Sequence, residues 1–238
     1  MDAQVLTAEI ERALRAHGTT DRAAHEKAYL KSDLEHYGTS VPAIRSVARA
    51  VASQNPDLSH NDLLRLVEAL WAAPAHERRM VAIELLDIYN DRLQAGDVPL
   101  LETLLRESLT WALVDPLATC VVGPLAERCP ELGGVLDRWA SDRDFWVRRA
   151  ALLALLVPLR RGGGDFQRFS RYADALLDDR EFFIRKAIGW VLRDTARKRP
   201  EMVYAWLVPR APRASGITVR EATKPLSEQQ RAAVLAAR

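Results

Sequence analysis

Trp111 stands four residues before Asp115, a spacing that puts an indole and a carboxylate on one face of a helix. Trp190 follows Gly189, whose missing side chain would open space beside the backbone. Both residue types suit a cation. An aromatic face attracts positive charge, and a carboxylate stabilises positive charge that develops beside it. Each has a structural alternative. Asp115 precedes Pro116 and reads equally as an N-cap with proline in the first helical turn. Any one of the six tryptophans is a core candidate. Trp139 and Trp206 sit in apolar patterns and are expected in the core.

Other chemistries lack their residues. The histidines, at 17, 25, 36, 60 and 76, are scattered and form no metal-ligand spacing. His76-Glu77 has Met80, not histidine, at the position a zinc protease helix needs. There is no nucleophile elbow, phosphate loop or dinucleotide fingerprint, and Gly162-Gly163-Gly164 reads as a turn without the lysine of a phosphate cradle. Cys120 and Cys129 fit neither a disulfide framework nor a zinc motif. No cofactor and no metal are expected.

The elements that must carry these residues are helices. Apolar positions recur at three- and four-residue steps through 62–71 and 79–89, alternating β-branched runs are absent, and prolines punctuate the chain at regular intervals. Several prolines read as first-turn residues. The pattern predicts an all-α chain of about twelve to fourteen helices. A repeat is visible: Asp142-Arg-Asp-Phe145-Trp-Val-Arg148-Arg149-Ala150 aligns with Asp179-Arg-Glu-Phe182-Phe-Ile-Arg185-Lys186-Ala187, 37 positions on. Glu77-Arg78-Arg79 is a weaker echo upstream. A period of about 37–40 with two helices per unit predicts a curved solenoid of HEAT-like antiparallel hairpins, read as one domain over 1–238. Stacking would align the recurring basic pairs along one edge of a groove. The alternative is that they pair with acids at the helix starts.

The chain has 238 residues, 48% hydrophobic and 28% charged, with a net charge of +2. That composition fits a folded domain, and the balance is weaker than that of many strongly basic nucleic-acid binders. No apolar run is long enough to span a bilayer. The acidic, amphipathic start has no signal-peptide pattern, so a cytoplasmic location is expected.

Taken together, Trp111-Ala-Leu-Val-Asp115, Phe145-Trp-Val-Arg-Arg149-Ala-Ala-Leu and Glu181-Phe-Phe-Ile-Arg-Lys-Ala-Ile-Gly-Trp190-Val-Leu-Arg193 resemble the AlkD family of HEAT-repeat DNA glycosylases. Tyr29-Leu-Lys31, Tyr37-Gly38, Pro42, Arg45 and the later Val219-Arg-Glu-Ala222 with Lys224 also match, so the resemblance spans roughly 25–226. The segment 1–28 is not diagnostic. Pro116 after the aspartate and a second basic residue, Arg148, beside Arg149 depart from the family pattern.

The resemblance implies excision of purines alkylated at ring nitrogens, chiefly N3-alkyladenine and N7-alkylguanine, including bulky minor-groove adducts, without flipping the base. It assigns Asp115 as the catalytic carboxylate and Trp111 and Trp190 as cleft tryptophans. Arg149, with Arg148 beside it, would hold the DNA backbone near the lesion, and Tyr29, Lys31, Arg45, Arg185, Lys186 and Arg193 would lie along the DNA. The expected partner is double-stranded DNA bearing alkylated purines, bound by a monomer without cofactor or membrane. The charge logic agrees: a cationic purine leaves readily, and a carboxylate steadies the sugar cation left behind. The other reading is a non-catalytic HEAT scaffold that grips DNA or protein.

Overall fold

Short polar side chains set the helix starts. In the computed structural model, which describes residues 2–238, the side chains of Asp2, Ser40, Ser59, Thr110, Asp144, Asp165, Glu181, Ser215 and Ser227 each accept a first-turn backbone N–H. Each such cap is worth about 1 kcal/mol. Pro42, Pro99 and Pro200 occupy first helical turns as expected.

The chain divides into two compact units, Met1–Leu117 and Ala118–Arg238. The first contains α1 (Ala3–His17), α2 (Thr20–Leu30), α3 (Val41–Gln54), α4 (His60–Trp71), α5 (His76–Ile88), α6 (Val98–Ser108) and α7 (Trp111–Pro116). The second contains α8 (Gly123–Arg128), α9 (Leu132–Trp139), α10 (Phe145–Leu153), α11 (Leu156–Arg160), α12 (Phe166–Ala175), α13 (Phe182–Ala196), α14 (Pro200–Leu207), α15 (Gly216–Ala222) and α16 (Glu228–Ala236). A π-helical stretch, Leu117–Val122, joins α7 to α8, and a single turn separates α10 from α11. Counted as continuous rods, the helices number fourteen among the described residues. No strand occurs among them, only an isolated bridge between Glu35 and Ala75. No helix among them is long and apolar enough to cross a membrane.

In the first unit, α1 packs on α3 and α4, and α5 packs on both. Leu14, Leu63, Leu66, Leu70, Ile83, Leu85 and Leu86 fill the centre. Helix α5 is buried on nearly every side, which explains why it carries apolar residues all round. Its first turn holds Glu77 at 0% exposure. The N–H groups of Tyr37, Gly38 and Thr39 donate to Glu77 Oε1 at 3.0, 2.7 and 3.2 Å. Gly38 makes this cradle possible: its φ is +76°, and a Cβ there would stand 2.1 Å from the Thr19 carbonyl oxygen. Burial pushes the neighbouring His76 down to about 3.

In the second unit, α13 is the central rod, packed by α10, α11, α14 and α15. Gly189 lets α15 approach, since a Cβ there would meet Glu221 Cβ at 2.9 Å and the Thr218 carbonyl oxygen at 3.2 Å. The gap it leaves is therefore filled by a helix. It does not open space beside Trp190, as the sequence had led one to expect. Trp139 and Trp206 are core residues as anticipated, 1% and 6% exposed.

The 37-residue repeat recurs in the same backbone and side-chain contacts. The Asp144 N–H donates to Asp142 Oδ1 and the Glu181 N–H to Asp179 Oδ1, both at 2.8 Å. Asp144 and Glu181 then cap α10 and α13. Arg148 reaches back to the Asp142 carbonyl and Arg185 to the Asp179 carbonyl, both at 2.7 Å. Arg148 also pairs with the Asp179 carboxylate at 3.0 Å, tying one repeat to the next.

Candidate functional site

Helix α7 begins abruptly. Leu109 adopts φ +51°, an uncommon conformation for a branched side chain, and ends α6. Thr110 then caps α7 by accepting from the Ala112 N–H, so Trp111 is the first helical residue. Asp115 lies inside this helix, one turn after Trp111 and on the same face. It is not the N-cap that its position before Pro116 allowed. Pro116 sits inside the helix too, where it has no N–H to give to a preceding carbonyl. The backbone responds with the π-helical stretch that follows.

Among the six tryptophans, Trp71, Trp139, Trp146 and Trp206 are buried, and only Trp111 and Trp190 are partly exposed. The exposed Tyr29 ring meets Trp111 edge-on, with centroids 6.0 Å apart at 88°. Asp115 is half-buried. The first unit thus brings Tyr29, at the end of α2, onto the indole that shares a face with Asp115. Lys31 follows Tyr29 closely, exposed, in the left-handed conformation that ends α2. Arg45 is exposed on α3 and pairs with Glu84 at 2.9 Å.

In the second unit, the Trp190 indole N–H donates to Asp194 Oδ2 at 3.2 Å. Asp194 is 5% exposed. Arg160 donates to the same oxygen at 2.8 Å, and Arg193 donates to Oδ1 at 3.1 Å. Arg193 also pairs with Glu221. Lys224 and Arg193 hold the Glu221 carboxyl below its ordinary range, against the opposing pull of burial. Asp194 and Arg160 were not among the residues the motifs pointed to, although Trp190 and Asp194 share the spacing of Trp111 and Asp115.

The basic pairs behave differently from a charged edge. Arg149 is 2% exposed and its guanidinium donates to the Phe183 carbonyl, with the Phe183 ring centroid 5.7 Å away. Arg148 and Arg185 are half-buried loop clamps. Lys186 alone of the four is exposed, its Nζ 5.7 Å from the centroid of the Phe182 ring. Arg148 pairs with an acid, as the alternative to a basic edge had it, while Arg149 and Arg185 grip backbone carbonyls.

A family model described as DNA alkylation repair enzyme matches residues 10–226. Among solved structures, a predicted DNA alkylation repair enzyme from Enterococcus faecalis superimposes with a TM-score of 0.81 at 22% identity, covering 89% of this chain and 98% of that one. AlkD2 from Streptococcus mutans gives a TM-score of 0.57 at 16% identity, covering 94% of this chain and 98% of that one. At these identities the likeness shows a shared all-helical fold. A comparison with curated proteins gives no match.

Proposed function

Because the chain belongs to the family of DNA alkylation repair enzymes, we propose that it hydrolyses the N-glycosidic bond of purines alkylated at N3 or N7. The observation that carries this reading is the Trp111–Asp115 pair: a partly exposed indole and a half-buried carboxylate on one face of a short helix, edged by Tyr29.

An alkylated purine carries positive charge before the reaction begins. Its departure takes the bonding electron pair with the base and leaves an oxocarbenium ion on the deoxyribose. The Asp115 carboxylate stabilises that cation by charge and accepts a hydrogen bond from the attacking water, whose proton is lost as the new C–O bond forms. The products are the free base and an abasic sugar. No general acid is needed, since the leaving group is already cationic. The indole face of Trp111 attracts the same positive charge. Trp190 is assigned a contact of the same kind. Selectivity follows from the lability of the lesion, so the base need not be extruded at a cost of a few kcal/mol.

Lys31, Arg45 and Lys186, all exposed, are assigned to phosphates, contacts that set register without reading sequence. Tyr29, two residues before Lys31, is assigned to the DNA as well. Arg148, Arg149, Arg185 and Arg193 serve through the loops and carboxylates they hold.

Incubation with duplex DNA carrying N7-methylguanine or N3-methyladenine, followed by chromatography of released base, tests the reading. Wild-type protein releases base, and Asp115→Asn removes most of the release. Undiminished release by the Asn variant would overturn the assigned mechanism. Salt-sensitive DNA binding with no release by wild type would leave a non-catalytic scaffold.

A further inference from the structure

Three residues that are far apart in sequence meet in the first unit. Glu26 lies on α2, His36 on the loop before α3, and Glu77 in the first turn of α5. One ligand atom from each lies within 4.8 Å of the others. The Glu77 carboxylate is fully buried and fixed by the N–H groups of Tyr37, Gly38 and Thr39. Both ring nitrogens of His36 are buried without a hydrogen-bond partner. Its ring stacks on His76, centroids 4.7 Å apart at 13°, which fixes its plane.

We propose that Glu26, His36 and Glu77 form a binding site for one divalent transition-metal ion, with zinc as the preferred occupant. The donor set is two carboxylate oxygens and one imidazole nitrogen. Zinc takes this mixture, commonly with three protein ligands and an open position. Its place near the top of the divalent affinity series favours it over manganese or iron for such donors. Two carboxylates with a neutral imidazole carry the charge that balances a divalent ion. Leaving a buried imidazole nitrogen unsatisfied is costly, and coordination removes that cost for one of the two. The amides on Glu77 and the i,i+4 pairing of Glu26 with Arg22 at 2.6 Å are the outer contacts that orient ligating carboxylates.

The ion would tie α2, the 31–40 loop and α5 together. It would thereby fix the loop next to Lys31 and Tyr29 without taking part in chemistry at Asp115.

Chelator-stripped protein titrated calorimetrically with zinc chloride tests the site, with thermal denaturation as a second readout. Wild type is expected to saturate at one ion per chain and to melt at a higher temperature with zinc. His36→Gln and Glu26→Gln should each weaken binding about tenfold or more and abolish the zinc-dependent rise. Glu77 is left intact because it holds the loop backbone. The proposal is overturned if no saturable one-to-one site is found, if folded His36→Gln binds as tightly as wild type, or if binding is lost instead in His60→Gln. None of these readouts depends on base release, so this site and the proposed reaction fail separately.

Discussion

Two Trp-x-x-x-Asp segments, one in each unit, have identical spacing and differ in burial. Asp194 is buried, and its charge is matched by Arg160 and Arg193 while it accepts the Trp190 indole N–H. It is built to hold an indole. Asp115 is half-buried on a short helix that begins at Trp111. Spacing alone therefore identifies a pair on one face; burial and partners distant in the chain distinguish the two carboxylates.

The largest expected effect breaks this contrast directly. Asp115→Asn should lower single-turnover base release by about 10²–10³-fold, the size seen when a group aimed at developing charge is removed, with a smaller change in melting temperature than Asp194→Asn. Asp194→Asn should do the reverse. It leaves two guanidinium groups short of a buried acceptor, costing about 1–3 kcal/mol, which lowers the melting temperature by several degrees, while release falls far less. If the two variants exchange these signatures, the assignment of roles is wrong. Gly189→Ala, which forces a Cβ to 2.9 Å from Glu221 Cβ, should destabilise by about 1–3 kcal/mol and be readable by urea denaturation. Trp111→Ala should cost about tenfold in release, the equivalent of one cation–aromatic contact of about 1–2 kcal/mol.

The smallest effect concerns another matched carboxylate, Asp97, whose partner can lose its charge. His60 Nε2 lies 2.9 Å from Asp97 Oδ2, and hydrogen bonding to Asp97 raises the imidazole pKa above 6.5, against a smaller opposing pull of burial. The folded state thus binds the proton more tightly than the unfolded chain. The pair's contribution is fully present below about pH 6.5 and is lost as pH rises through the raised folded value. Thermal melts across that window should show the loss in wild type and a flatter profile in His60→Gln.

Much of this was legible in the sequence. Helical periodicity, the first-turn prolines at 42, 99 and 200 and the 37-residue repeat all reappear in the fold. The two tryptophans singled out are the two left partly exposed. What escaped depends on partners distant in the chain. Arg160 lies 34 residues before Asp194, so of that carboxylate's two arginine partners only the adjacent Arg193 is visible locally. The same applies to Gly189, whose reason is the α15 backbone, and to Arg149, whose burial depends on α13. Pro116 misled differently. Proline in a first turn is the common case, and only the Thr110 cap upstream shows that the helix had already begun.

The double grip of Arg148, on its own Asp142 carbonyl and on the carboxylate of Asp179 one repeat later, has a consequence for how such a chain can change length. Each copy carries the arginine and the aspartate that such a link needs, Arg148 with Asp142 and Arg185 with Asp179. Duplicating a whole 37-residue stretch would restore every link, whereas excising part of one would strand an arginine. Growth by tandem copying is thus structurally neutral at this seam, and partial loss is not.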